Sequence, residues 1–144
     1  MEPIRHAVSV ASSAADAFAV FTTAMGTWWD PDHSPDAAAF TGIEVEPRVG
    51  GAVEMVLGRA RQSFGTVTAW EPGARYAQTF WLALDPAYPT TLEVTFEDVE
   101  DVEGVCEVRF EHGGWYAENG SERARYGDWP HLLGRFAAAC ATRD

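Results

Sequence analysis

YGDWPHLLGRFAAAC, residues 126–140, sets apolar side chains at Tyr126, Trp129, Leu132, Leu133, Phe136, Ala137 and Cys140, the spacing of one helix face. From about Phe40 to His112 the chain reads instead as short strands and turns. One apolar helix after a long antiparallel meander has to lie against that sheet to bury its stripe. Gly127 and Pro130 interrupt the front of the segment, so the helix kinks there or starts near Asp128-Trp129-Pro130, with Ser121 available to cap a segment before it.

Working back through the meander, Leu92, Val94 and Phe96 face one way and Glu93, Thr95 and Glu97 the other. Cys106, Val108, Phe110 and His112 likewise oppose Glu107, Arg109 and Glu111. This is the pattern of an antiparallel sheet with one wet and one packed face. The acidic stretch Asp98 to Glu103 between them reads as a solvated hairpin tip. Earlier strands are expected at about 39–46, 52–57, 63–70 and 75–84. The Gly50-Gly51 pair, Gly58 to Gln62, and Glu71-Pro72-Gly73 supply the turns, the last with Pro and Gly where a type II turn wants them.

At the other end, Ile4, His6, Val8 and Val10 alternate with Arg5, Ala7 and Ser9, a first strand. Ser13 is an N-cap with Asp16 three residues on, and Ala14, Phe18, Phe21 and Met25 follow at helical spacing to a stop near Gly26. Trp28 and Trp29 belong to a second short helix or turn, closed by Asp30-Pro31. Residues 30–38 form a polar loop. Its Asp30, Asp32, His33 and Asp36 lack the spacing of a calcium loop and suit a solvated turn. The order is strand, two helices, six strands, long helix.

The 144 residues suit one domain, 1–144, and no linker or repeat divides them. Ten basic against 22 acidic residues give a formal charge of −12, which excludes nucleic acid and disfavours anionic membranes. Apolar residues make up 47% of the chain, with six Trp and eight Phe to fill an interior. Cys106 and Cys140 sit on apolar faces without CxxC spacing and read as buried hydrophobes. The N-terminus lacks an apolar signal region, and no apolar run reaches the ~20 residues of a spanning helix, so a cytoplasmic chain is expected.

This order resembles the helix-grip fold of the START-like (SRPBCC) superfamily, which includes polyketide cyclases and lipid carriers. Within it the chain is similar to the branch of homologues of the activator of the heat-shock protein 90 ATPase. The residues that carry the resemblance are Ala15-x-x-Phe18-x-x-Phe21, Trp28-Trp29, Val49-Gly50-Gly51, Gly65-x-Val67-x-x-Trp70-Glu71-Pro72, Trp81 and His112-Gly-Gly114. Tyr126-Gly127-Asp128-Trp129-x-x-Leu132-Leu133-x-x-Phe136 completes it. The resemblance implies an α+β fold: a curved antiparallel sheet wrapped around a long C-terminal helix, with two short helices after the first strand. It implies an apolar or amphipathic small molecule held between sheet and helix.

On that fold the inward positions are Met55, Gln78, Phe80, Val94, Phe96, Val108, Phe110 and His112 from the strands, and Trp129, Leu133 and Phe136 from the helix. Trp28, Trp29 and Trp81 close the ends or line the wall. These fourteen form the expected ligand-binding set, and any of them also suits a filled core. His6, Gln78 and His112 interrupt apolar series, and a buried polar group is costly unless paired. The first and last strands are neighbours in a helix-grip sheet, so His6 and His112 approach one another there.

No GxSxG or other nucleophile motif occurs, and His33 and His131 show no partner by spacing. No catalytic residue, metal or nucleotide cofactor is indicated. Two other readings stay open. One is an interaction module acting on a chaperone or another protein, with a homodimer also compatible. The other is a cyclase- or dehydratase-like enzyme using His112.

Overall fold

The structure, a computed structural model, describes residues 2–141. The elements run β1 (Ile4–Val10), α1 (Ala14–Phe21), α2 (Met25–Trp28), β2 (Phe40–Val45), β3 (Ala52–Leu57), β4 (Ala60–Glu71), β5 (Arg75–Phe80), β6 (Thr90–Asp98), β7 (Cys106–Gly113) and α3 (Trp129–Ala141). Short 3₁₀ segments cover Pro31–His33 and Gly120–Tyr126. The expected order of strand, two helices, six strands and a long helix is the order found.

All seven strands join one antiparallel sheet in the order β1-β7-β6-β5-β4-β3-β2. The chain's first strand closes on its last: Ile4 pairs with His112 and Val10 with Cys106. Register shifts at Phe40/Gly42, Val53/Glu54 and Val67/Ala69 put one extra residue into β2 and two into β4. Such bulges bend a strand and increase its twist, which curls the sheet into a half-barrel around α3. The alternation of β6 and β7 does what it predicts. Leu92, Val94, Phe96, Val108 and Phe110 are buried, while Glu97 and Arg109 are exposed.

Ser13 caps α1, its Oγ accepting from the Asp16 N–H at 3.1 Å. A second orphan donor of that helix, the Ala14 N–H, is taken by Asp98 Oδ1 from the end of β6 at 2.7 Å. Helix and sheet are thus joined by a cap supplied from 84 residues away. Gly73 has φ +76°, and the Ala74 N–H reaches Glu71 O at 2.9 Å, the type II turn expected there.

Three boundaries differ from expectation. α1 stops at Phe21, and Gly26 lies inside α2, where a Cβ would meet the Ile43 nitrogen at 2.5 Å. β4 begins at Ala60, so the β3–β4 turn is shorter than 58–62. The strand expected over 75–84 ends at Phe80. Ala83 takes φ +61° and the Leu84 N–H bonds back to Trp81 O, so the chain turns before Leu82 and Leu84 can alternate.

Cys106 and Cys140 are buried free thiols, and burial raises the Cys106 thiol to about 11. No described helix is long and apolar enough to cross a membrane.

Candidate functional site

The space between sheet and α3 is filled for most of its length. Phe136 packs edge-on to Phe21 at 5.3 Å and to Trp28 at 5.6 Å between ring centres. Phe21 also touches Phe96, and Val94, Val108, Met55 and Leu133 are buried in the same cluster. Of the expected ligand-binding set, Trp28, Met55, Val94, Phe96, Val108, Phe110, Leu133 and Phe136 therefore form this apolar core. Trp28 also donates its indole N–H to Val20 O at 2.8 Å.

The polar members of that set are buried and fully engaged. Gln78 accepts from the Tyr76 hydroxyl at 2.7 Å and donates to Thr79 O at 3.0 Å. Burial alone pushes the Tyr76 phenol above its ordinary range. Gly65 on β4 leaves the gap that Gln78 occupies, since a Cβ there would lie 2.4 Å from its Nε2.

His112 is enclosed by Phe80, Trp115, Tyr126 and Trp129, the nearest ring centre at 4.6 Å. Thr90 Oγ1 donates to Phe80 O at 2.8 Å and therefore accepts from His112 Nε2 at 2.7 Å. The Trp129 indole, a donor only, gives its proton to His112 Nδ1 at 3.1 Å. The ring is thus held as the neutral Nε2–H tautomer with both nitrogens used. Burial lowers its pKa to about 3, and the positive charge of Arg123 adds to the effect. His6 stands opposite Phe110 in the β1–β7 pairing, two positions along from Ile4, the partner of His112.

One end of the grip is open. A cleft of about 500 Å³ opens between the loop of residues 29–35, the β5–β6 connection and the start of α3. Trp29, Phe80, Tyr126, Trp129, Leu82 and Leu132 make its apolar walls, with Ala83 and Pro35 beside them. Gln62, Asp32, His33, Ser34, Arg125 and Asp128 bring polar groups. Three residues of the expected set, Trp29, Phe80 and Trp129, line this cleft. Trp81 instead sends its indole N–H to Ser63 O at 3.0 Å.

Hydrogen bonds to backbone carbonyls, two of them between distant elements, fix these walls. The Tyr126 hydroxyl donates to Leu82 O at 2.5 Å, and burial pushes that phenol up to about 12. Trp29 donates to His33 O at 3.1 Å, curling the loop over its own indole. Arg135 of α3 donates to Trp28 O at 2.7 Å and anchors the tryptophan pair.

At the rim, His33 Nε2 meets Asp128 Oδ2 at 2.6 Å and His131 Nε2 meets Asp30 Oδ2 at 2.8 Å. Asp30 also caps the 3₁₀ segment by accepting from the Asp32 N–H. That bond, followed by the one from His131, holds its carboxyl below the usual carboxylate range. Asp36 instead accepts from the Ala39 N–H. Among the described residues, no three of His, Cys, Asp and Glu converge to hold a metal ion.

Spacing alone shows neither histidine its partner, because each partner is about a hundred residues away. One signal was present: the same Asp-x-x-His spacing occurs at Asp30–His33 and at Asp128–His131.

Three solved structures share this fold over nearly their whole length. The Aha1 dimer of Colwellia psychrerythraea is 19% identical with a TM-score of 0.69, covering 99% of this chain and 98% of that one. An Hsp90 activator from Plasmodium falciparum is 17% identical with a TM-score of 0.68, covering 96% of each. An anthrahydroquino-γ-pyrone synthase is 26% identical with a TM-score of 0.64, again covering 96% of each. No curated protein matches the sequence. The model of one family, described as Activator of Hsp90 ATPase homolog 1-like protein, matches residues 11–141. With a half-barrel sheet gripping a C-terminal helix and that match over most of its length, the chain belongs to the Activator of Hsp90 ATPase homolog 1-like family.

Proposed function

We propose that this chain binds a planar, largely apolar small molecule with a polar edge, held in the cleft at the N-terminal end of α3. The observation that carries this reading is the cleft itself. Its volume of about 500 Å³ falls within the ~300–1,000 Å³ typical of small-molecule sites. Four aromatic side chains, Trp29, Phe80, Tyr126 and Trp129, line it, and polar groups come from Gln62, the 32–34 loop, Arg125 and Asp128. Apolar walls with a few polar groups suit a ligand held by burial and oriented by hydrogen bonds. The 26%-identical synthase, named for an aromatic pyrone product, agrees with such a ligand.

Native mass spectrometry of the protein as purified, against the same sample denatured, tests the reading. A reproducible extra mass lost on denaturation supports it and gives the ligand's class. A bare mass that no aromatic polyketide or lipid shifts counts against it.

A second reading, an interaction module on a chaperone ATPase, draws on the family's description. It expects stimulation of that ATPase by this chain and no dependence on the cleft residues.

A further inference from the structure

Two Asp-x-x-His segments, Asp30–His33 in the loop and Asp128–His131 entering α3, exchange partners at the rim of the cleft. The two imidazole rings lie 6.3 Å apart. The pairs differ in what they face. His33 and Asp128 both line the cleft, whereas Asp30 and His131 do not. A carboxylate can only accept, so the neutral His33 donates from Nε2 to Asp128 and keeps a lone pair on Nδ1. No described residue hydrogen-bonds that nitrogen. A base whose other nitrogen is oriented by a carboxylate is the arrangement general-base catalysis uses.

We propose that Asp128 and His33 form a proton-transfer dyad acting on the molecule in this cleft, a planar aromatic bearing an enolisable ketone or an acidic ring C–H. The proposal rests on the cleft being a ligand site. In the step, His33 Nδ1 takes a proton from the ligand carbon. The C–H bond breaks, an N–H bond forms, and the electron pair stays on the ligand as an enolate. Asp128 offsets the charge of the imidazolium. The same N–H returns the proton when the rearranged product forms, so no further reactant is consumed. Arg125, in the same lining, is ion-paired with Glu122, so it shares its positive charge between that carboxylate and the enolate oxygen. His33 is the catalytic residue here, and Asp128 positions it.

The test uses 5-nitrobenzisoxazole, a flat aromatic whose ring C–H is acidic. When a base removes that proton, the C–H pair forms the nitrile, the N–O bond breaks and a coloured nitrophenolate is released. The wild-type chain is expected to show saturable turnover, and His33→Gln to lower kcat by ~100-fold, the scale of general-base catalysis. Asp128→Asn should lower kcat with KM kept, Asp128→Glu should recover part of the rate, and His6→Gln should change nothing. Proton spectra establish that each variant is folded.

Turnover that persists in His33→Gln, or a probe that binds without turnover, overturns the dyad and leaves the ligand site standing. If neither this probe nor 1,8-dihydroxyanthraquinone moves the indole signals of Trp29 and Trp129, the ligand site fails and the dyad with it.

Discussion

The indole N–H of Trp129, the first residue of α3, donates to Nδ1 of His112, near the end of β7, at 3.1 Å. This one bond ties the gripped helix to the sheet and fixes the tautomer of a fully buried imidazole, whose other nitrogen is held by Thr90. Its position sets Trp129 as a wall of the cleft, so the sheet determines the shape of the site through a side chain that does not line it.

The depressed pKa of His112 makes a pH prediction with a definite sign. Unfolded, the imidazole titrates near 6.5; folded, near 3. Between those values the unfolded chain binds the extra proton, so stability falls as pH drops below about 6.5, by up to ~1.4 kcal/mol per unit. His112→Gln, which can still donate to Thr90 and accept from Trp129, should flatten that part of the profile. Chemical denaturation of both proteins from pH 7 to pH 5 measures the difference in slope.

Gly65→Ala should destabilise by at least ~1–3 kcal/mol, the cost of overpacking. The added methyl would lie 2.3 Å from Thr79 O and 2.4 Å from Gln78 Nε2, so either β5 shifts or the buried amide loses its place. Gly65→Ala combined with Gln78→Ala should recover only part of the loss, because the backbone contact remains. Urea midpoints of the single and double variants report this.

Asp98→Ala removes the long-range cap on the Ala14 N–H. A lost N-cap acceptor costs ~1 kcal/mol, and Asp98→Asn, which keeps an oxygen acceptor, should lose less. Thermal melting ranks the two. If α1 had no need of the sheet's carboxylate, both would melt like the wild type.

Phe136→Ala opens a cavity among Phe21, Trp28 and the neighbouring core. The expected loss is ~3–5 kcal/mol. The same change should leave the cleft's walls in place, since Phe136 is not among them. Denaturant unfolding checks the first part and ligand titration at low temperature the second.

Much of this fold could be read from side-chain alternation. β6 and β7 keep a strict two-residue period with acidic and basic residues on the wet face, and the α3 stripe from Trp129 to Cys140 admits one helix face. Reading failed where a backbone turn interrupts a continuing apolar pattern. Leu82 and Leu84 alternate with Phe80, but the positive φ of Ala83 turns the chain and makes Leu82 a cleft wall.

The site was less legible, for a different reason. An apolar inward residue such as Val94 or Phe110 reads the same whether it meets a ligand or another side chain. Only the packing of Phe21, Trp28 and Phe136 between α1, α2 and α3 decides that the middle of the grip is filled. His33 and Asp128 are 95 residues apart and meet only where the 29–35 loop comes against the start of α3.

On the proposed function the aromatic cleft, and not the middle of the grip, holds the ligand. The most direct measurement is a titration of ¹⁵N-labelled protein with 1,8-dihydroxyanthraquinone, following the indole N–H resonances, alongside the variant Gln62→Trp, which narrows the cleft from an exposed strand position. Binding in the cleft should move the signals of Trp29 and Trp129 while that of Trp70, packed on Phe18, stays, and Gln62→Trp should abolish the shifts. Shifts centred on Trp28 and Trp70, or shifts unchanged in Gln62→Trp, would contradict it.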